Sequence, residues 1–386
     1  MPKKKKRPLK KALRKAVSTK SPREPLWKGP ESDHKQGGVT QSLLQKFLVC
    51  RERFRLQVIE GWKPVDIFNH RLEYGNMWHE CEEASATKGK NWVVVLLKYA
   101  KKLAKKYPTQ QEQINHWYNV CKVQFPIYLE YWGSQKQGKG KTPLMAEQTF
   151  KVPYKLPSGY TVYLRGKWDG LELLADKRAG GLYLREHKTK GDVDEELITK
   201  QLGFDIQTMT YAVAFQEALE DYKENGSDGW SGFPEIPVFK HLRGISYNVV
   251  RRPLSGGKGS IRPHKATAKK PAETMEHFYG RLGEVIKGEP ESFFVRWDVI
   301  LTMKDLQDFR TRFLDPILEQ LCDWWGWIQM CDGNPFHHPA SMGRHWQSPY
   351  GVYNPLSDGK GSELDQYLMN GSSLGLERSN NLFPEL

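Results

Sequence analysis

Two neighbouring strand-like segments, Thr161–Leu174 and 182–189, constrain this chain more than any other feature of its sequence. Both are rich in Val, Tyr and Leu, and the turn between them, ADKRAGG, predicts a β-hairpin or two adjacent strands. Asp169 lies on the first segment, whereas Glu186 and Lys188 are two positions apart on the second and therefore share one face. Buried charges without partners cost several kcal/mol. A divalent cation between the carboxylates would neutralise them, since hard cations prefer oxygen ligands.

A helix is predicted after the second strand, over residues 201–219. Its apolar residues recur mostly at helical spacing. Gln207 and Tyr211 are four positions apart and hence lie on one helical face.

These residues together resemble the motifs of the PD-(D/E)XK nucleases. The resemblance is to the RecB-like exonuclease group, which includes CRISPR-associated and phage recombination exonucleases. Gly166 and Asp169 resemble the group's G-x-x-D strand, Glu186 and Lys188 its E-x-K strand, and Gln207 and Tyr211 its Q-x-x-x-Y helix. The resemblance covers residues 39–354, and its weight comes from the order and context of the motifs, because each one alone occurs by chance.

The resemblance implies an α/β fold. We expect a restriction-endonuclease-like core, in which a mixed central β-sheet is flanked by helices, with helical additions towards both ends of the chain. One nuclease domain is expected over residues 39–354, with a helical segment at 39–140, the catalytic sheet and helix at 145–250, and a C-terminal helical part at 273–354. Composition predicts a disordered basic tail at 1–38 and a poorly ordered polar tail at 355–386.

The resemblance also assigns roles. Asp169, Glu186 and Lys188 are the expected catalytic residues, Lys188 orienting or helping to deprotonate water and stabilising phosphate charge. The expected ligands of Mg²⁺ or Mn²⁺ are His79, Asp169, Glu186 and the backbone carbonyl of His187. His79 follows Gly75 by four positions, as in the group's G-x-x-x-H motif, and the alternative is an ordinary helix histidine.

Two further interpretations concern side chains around this set. Gln207 and Tyr211 are expected to position DNA, and a packed helix face is the alternative. Glu147 lies on a predicted strand at 145–154 and is interpreted as a carboxylate that supports the site without binding the metal directly.

The expected function is metal-dependent hydrolysis of DNA phosphodiesters, as an exonuclease in recombination, repair or phage DNA processing. The expected partner is DNA, single-stranded or with duplex ends. An alternative is a catalytically inactive DNA-binding protein on the same fold, and another is a basic structural protein. No phosphate-binding glycine loop, helicase motif or G-x-S-x-G is present, so neither ATP-driven unwinding nor serine chemistry is supported.

Cysteines that hold an iron–sulfur cluster in some relatives are largely missing. Cys50 matches the first position, although Arg51 replaces the proline of the motif. Ser348 and Asn354 occupy two later positions, and the remaining one falls near 341–342. Because neither side chain substitutes for a thiolate, no iron–sulfur cluster is expected. Cys322 and Cys331 precede this pattern at an unusual spacing.

Charge is distributed unevenly. Residues 1–23 hold eight Lys and three Arg without an acidic residue, which is +11 of the net +14, so the remainder is near neutral. This tail could attract phosphates, act as an address signal or only aid solubility. A lysine-rich face on the predicted helix at 92–107 either follows DNA or is simply solvated.

The sequence contains no run of 18 apolar residues, which argues against a membrane span, and its basic N-terminus lacks the apolar stretch of a secretory signal. The odd number of widely spaced cysteines, five, favours a reducing compartment. These features favour a cytoplasmic location, and the resemblance implies a bacterial or phage-encoded protein.

Overall fold

The computed structural model describes residues 24–49, 51–64, 68–87, 89–134, 141–174, 180–191, 200, 205–225, 242–253, 261–268, 270–330, 376–384 and 386. Its helices and strands, in chain order, are β1 Val39–Thr40, α1 Gln41–Val49, α2 Arg51–Phe54, β2 Trp62–Pro64, α3 His70–Ala86, α4 Trp92–Lys106, α5 Gln111–Ser134, β3 Lys141–Lys155, β4 Thr161–Leu174, β5 Gly181–Lys190, α6 Ile206–Asn225, β6 Leu242–Arg251, α7 Met275–Gly288, β7 Phe294–Ile300, α8 Met303–Phe309, α9 Asp315–Met330 and β8 Leu376–Arg378.

A mixed six-stranded sheet organises the described residues. Its order is β1-β4-β5-β6-β7, and β3 pairs with β4. The β4–β5 and β6–β7 pairs are antiparallel, whereas β5 and β6 are parallel. The connection between parallel strands has to cross over the sheet, and α6 lies within that connection. The α/β fold class with a mixed central sheet is confirmed.

The hairpin that the sequence predicts is present. Strand β4 has the predicted bounds, and β5 extends the predicted 182–189 by one residue at each end. Gly170 pairs with Arg185 and Leu174 with Gly181 across the two strands. Because side chains alternate along β5, Glu186 and Lys188 lie on one face of the sheet and His187 on the other.

Two compact units divide the described residues. The terminal unit consists of those within 1–66, 155–163 and 317–385, and the sheet unit consists of those within 67–154, 164–316 and 386. The nuclease domain expected at 39–354 is therefore distributed over both units.

Apolar side chains cover both faces of the sheet in the sheet unit. On one face, the rings of Trp78, Phe125 and Tyr128 pack against one another, and Tyr128 also meets Phe294 of β7. On the other face, the ring of Trp168 on β4 lies between the ring of Phe150 on β3 and that of Phe215 on α6. Aromatic side chains bury a large apolar area each, so their packing makes a major contribution to holding the helices against the sheet.

Helix α5 carries a stripe of apolar and aromatic side chains into this core. The buried members are Ile114, Trp117, Cys121, Phe125 and Trp132. These side chains therefore belong to the core, whereas Leu129 of the same helix is 38% exposed. Among the described residues, no helix is both long and apolar enough to cross a membrane.

The helical segment over residues 303–330 is interrupted. A Thr302–Asp305 capping box begins α8, a π-helical turn occupies Arg310–Leu314, and α9 then continues to Met330. A π turn inserts one residue per turn and rotates the following side chains. Apolar periodicity persists through such a turn, which is why the pattern reads as one helix.

The terminal unit contains residues that composition assigns to disordered tails. Trp27 is fully buried, donates its indole N–H to the Gly38 carbonyl at 2.9 Å, and packs edge-on against Phe54 and Trp325. Near the other end, β8 pairs antiparallel with β2. The expectations of disorder for 1–38 and 355–386 therefore do not hold for residues 24–38 and 376–384. The lysine-rich stretch 1–23 lies outside the described residues.

Replacing Trp27 tests whether residues 24–38 belong to the folded protein. Trp27→Ala removes a buried ring and leaves a cavity, so the free energy of unfolding should fall by about 3–5 kcal/mol in chemical denaturation. Met330→Ala is the control in the same unit, because Met330 is 77% exposed. Equal unfolding midpoints for the two variants would contradict a structural role for Trp27.

Candidate active site

Strands β4 and β5 bring the predicted acidic residues together. Asp169 projects from β4 and accepts a hydrogen bond at Oδ2 from the backbone N–H of His187 on β5, at 2.8 Å. Glu186 and Lys188 flank that N–H on the opposite face of β5 from the His187 ring. The predicted pairing of Asp169 with the Glu-x-Lys strand is therefore present.

Glu186, Lys188 and Gln207 form a closed hydrogen-bonded triangle. The Lys188 ammonium donates to Glu186 Oε1 at 2.7 Å and to Gln207 Oε1 at 3.0 Å, and the Gln207 amide donates to the same Glu186 oxygen at 2.9 Å. Burial and the neighbouring Asp169 raise the pKa of Glu186 to about 7, against the opposing effect of Lys188. Burial acts to lower the pKa of Lys188, but Glu186 outweighs it and raises that pKa.

His79, Glu147 and Asp169 form a second group beside this triangle. One ligand atom from each lies within 4.8 Å of the other two. His79 Nδ1 is 3.7 Å from a carboxylate oxygen of each partner, and Lys167 also pairs with Glu147. Burial acts to lower the pKa of His79, but Asp169 and Glu147 raise it to about 9. Two carboxylates and one imidazole are oxygen and nitrogen donors of the kind that Mg²⁺ or Mn²⁺ takes.

This group differs from the predicted ligand set in two respects. Glu147 is a member, although the sequence analysis places it outside the direct ligands. Glu186, a predicted ligand, is not in the group of three, and its Oε1 is occupied by Lys188 and Gln207. The direct role of Glu147 was missed because it depends on strand pairing. Strand β3 lies next to β4, so a carboxylate on β3 comes close to one on β4.

Tyr211 lies on α6 one turn after Gln207 and packs between β3 and β4. Its ring meets Phe150 edge-on at 5.3 Å, and its hydroxyl interacts with Gln207. A Cβ on Gly166 would come within 2.8 Å of both rings, so only glycine fits at this point of β4. Tyr211 therefore has the packed environment of the alternative interpretation, while its hydroxyl remains next to the triangle.

The imidazole of His187 is buried on the other face of β5, in a polar cluster. Asn248 of β6, which pairs with His187 in register, places its amide nitrogen 2.7 Å from His187 Nδ1 and 2.7 Å from the Tyr128 hydroxyl. Glu82 and Arg296 contact the same amide. Burial and the neighbouring Arg185 hold the pKa of His187 well below its usual value, so the ring is neutral.

The cysteine positions expected to be altered fall mostly outside the described residues. Those outside are Cys50, Cys331 and residues 341–354. Cys322 is described and is buried in the terminal unit. Burial and nearby acidic groups raise the pKa of Cys322 to about 12, so a thiolate at this position is costly.

The comparisons with known proteins agree with this geometry at the level of a family. A family model described as the PD-(D/E)XK nuclease superfamily matches residues 39–294, about two thirds of the chain. That interval contains the three carboxylate-bearing strands β3, β4 and β5 together with α3 and α6. No curated protein sequence matches the chain significantly.

The Asn248 cluster supports a prediction on stability. Asn248→Ala leaves His187, Tyr128 and Arg296 without their shared buried partner, and each unsatisfied group costs about 1–3 kcal/mol. We expect a loss of about 2–4 kcal/mol in the free energy of unfolding, measured by chemical denaturation. The matched control is Asn225→Ala, which removes an exposed amide bonded to Asp221 and should change stability by less than about 0.5 kcal/mol. A similar small change for Asn248→Ala would show that the cluster contributes no net stability.

Proposed function

Because this chain belongs to the PD-(D/E)XK nuclease superfamily, we propose that it is a divalent-metal-dependent deoxyribonuclease of the RecB-like type, with exonuclease activity. One observation carries the proposal. Three carboxylates, a histidine and a lysine meet where β3, β4, β5 and α3 come together. Charges assembled in this way cost free energy unless a ligand uses them.

The residues proposed to hold Mg²⁺ or Mn²⁺ are His79, Glu147 and Asp169. Glu186 and the backbone carbonyl of His187 complete the proposed donor set. A divalent cation held by these residues would supply positive charge that stabilises the phosphodiester oxygens during hydrolysis. His79 has to lose its proton to donate its ring nitrogen, so cation binding is coupled to proton release.

Lys188 is proposed to stabilise the charge that develops on the phosphate. Its ammonium group is fixed by Glu186 and Gln207 and needs no rearrangement when the reaction occurs. Preorganised charge of this kind lowers the barrier more than a mobile side chain does. Orienting the attacking water is a second role for the same ammonium, since each of its N–H groups can act as a donor.

Gln207 and Tyr211 are proposed to position the DNA strand. Gln207 connects the Glu186–Lys188 pair on β5 to α6 through its hydrogen bonds, and Tyr211 places its hydroxyl beside Gln207. The contact of Tyr211 with Phe150 sets the ring orientation, so packing and DNA positioning are compatible roles.

A catalytically inactive DNA-binding protein remains the second candidate for this fold. The Glu186–Lys188–Gln207 triangle argues against it, because a binding protein gains nothing from a largely buried pair of charges that it must desolvate. Recombination, repair or phage DNA processing, and a cytoplasmic setting, stay predictions that the resemblance implies.

Cleavage of a labelled DNA oligonucleotide with Mg²⁺, with and without a chelator, tests the proposal. Glu186→Gln and Lys188→Ala should each lower turnover by roughly 10²–10³-fold, the effect of losing one preorganised group at the reacting phosphate. DNA binding should be largely retained. The exposed ion pair Glu284–Lys287 provides matched controls, Glu284→Gln and Lys287→Ala, which should cleave normally.

Near-normal turnover in the purified Glu186 or Lys188 variant would refute the site assignment. Metal-independent cleavage by the unaltered protein would refute the class of reaction. Specific DNA binding without any cleavage would favour the inactive alternative.

We also propose that the chain lacks the iron–sulfur cluster of some relatives. Non-thiolate residues stand at the expected positions, and ionising the buried Cys322 is costly. The purified protein should therefore be colourless and contain no stoichiometric iron, as measured by visible absorption and metal analysis. A brown protein with iron that is lost in a Cys322→Ser or Cys331→Ser variant would show that these thiols have been recruited.

A further inference from the structure

Helix α4 and the neighbouring turns of α3 enclose a groove of about 1150 Å³. We call it the lysine groove, after its six lysine side chains: Lys90, Lys98, Lys101, Lys102, Lys105 and Lys106. The only acidic lining residues among those described are Glu80 and Glu83 of α3, and Glu83 is paired with Lys90 at 2.9 Å. The groove is therefore strongly positive.

The arrangement of lysines along α4 lowers the stability of the helix. Leu96, Ala100 and Leu103 face the core, and the opposite side carries Lys98, Lys101, Lys102 and Lys105 at helical spacing. Like charges four positions apart destabilise a helix, and α4 contains no acidic residue to offset them. In the part of the chain that the structure describes, Lys98, Lys101 and Lys105 form no ion pair. A solvated surface normally intersperses both signs of charge.

Exposed apolar side chains lie between these charges. Val94 is 62% and Leu97 41% exposed, and both line the lysine groove together with Tyr99. Alternation of cationic and apolar contacts suits a ligand with a charged backbone and flat apolar groups. A nucleic-acid single strand has this character, whereas the bases of a duplex are stacked away from such a surface.

The lysine groove adjoins the proposed metal site. Glu80 follows His79 directly on α3, and Glu83 lies one helical turn after His79 on the same face. Glu80 interacts electrostatically with Glu147, and Glu83 with Lys167, the lysine that pairs with Glu147. One end of the groove therefore lies beside the residues proposed to hold the metal.

We propose that the lysine groove binds single-stranded DNA that leads into or out of the active site. The inference rests on the proposed function, because it names the form of DNA that the same site receives. Phosphates contact the α4 lysines, and bases pack on Val94, Leu97 and Tyr99.

The test measures binding in chelator, so that it does not depend on cleavage. The full-length variant Lys98→Gln, Lys101→Gln, Lys105→Gln is compared with Lys155→Gln, Lys287→Gln, Lys304→Gln, which removes the same charge from exposed lysines elsewhere. Both retain residues 1–23, so the contribution of that basic segment cancels. The probes are a fluorescent single-stranded oligonucleotide and the corresponding blunt duplex, titrated over a series of salt concentrations.

We expect the groove variant to bind the single strand on the order of tenfold to a hundredfold more weakly at 0.1 M salt. Its plot of log affinity against log salt should flatten by about 2, since each phosphate contact on a single strand contributes about 0.7. The control variant should keep the slope of the unaltered protein. A further variant, Leu97→Ser, should weaken single-strand binding without changing the slope, because it removes an apolar contact only.

Equal losses in the groove and control variants would overturn the proposal, since net charge alone would then explain them. A loss confined to the duplex probe would also overturn it. These outcomes can be distinguished from a failure of the proposed nuclease function. A protein that cleaves DNA with Mg²⁺ but whose groove variant binds normally refutes only the groove, and one that binds through the groove but never cleaves refutes only the nuclease.

Discussion

The hydrogen bond from the His187 backbone N–H to the Asp169 carboxylate ties β5 to β4 at the point where the site is built. Strand alternation then determines what each face of β5 receives. Glu186 and Lys188 project towards α6, and the His187 ring projects towards the buried amide of Asn248. A shift of β5 by one residue would exchange these faces and place a charged pair in an aromatic core. The register of one strand is thus the condition on which both the acidic site and the polar cluster depend.

Much of this arrangement could be predicted because it is local. The bounds of β4 and β5, the shared face of Glu186 and Lys188, and the helix with Gln207 and Tyr211 follow from periods of two and 3.6 over short segments. The direct place of Glu147 beside His79 and Asp169, and the role of Asn248, were beyond such reasoning, since they come from the pairing of β3 with β4 and of β6 with β5. Trp27 was missed for another reason: a polar, glycine-rich composition describes the average of a segment and conceals one deeply buried ring.

The site is organised for chemistry at some expense to stability. The attraction within the largely buried Glu186–Lys188 pair returns little of the desolvation cost of the two charges, and a hydrophobic pair of the same size would often be at least as stable. The sheet unit offsets this cost with dense aromatic packing on both faces, including Trp168 stacked on Phe150 at 4.3 Å. Rigid strands on well-packed supports hold the charged groups in place, which is what a preorganised site requires.

The interleaved composition of the two units has a consequence for biosynthesis. Arg378 donates to the Glu60 carbonyl, 318 positions earlier, and its guanidinium lies over the Trp62 ring. The terminal unit therefore cannot be completed until residue 378 has emerged from the ribosome, whereas every described strand of the sheet unit has emerged by residue 300. Domains tend to fold as units during synthesis. The newly made chain thus passes through a period in which its central portion can fold while the Arg378 guanidinium that covers the Trp62 ring has not yet been made.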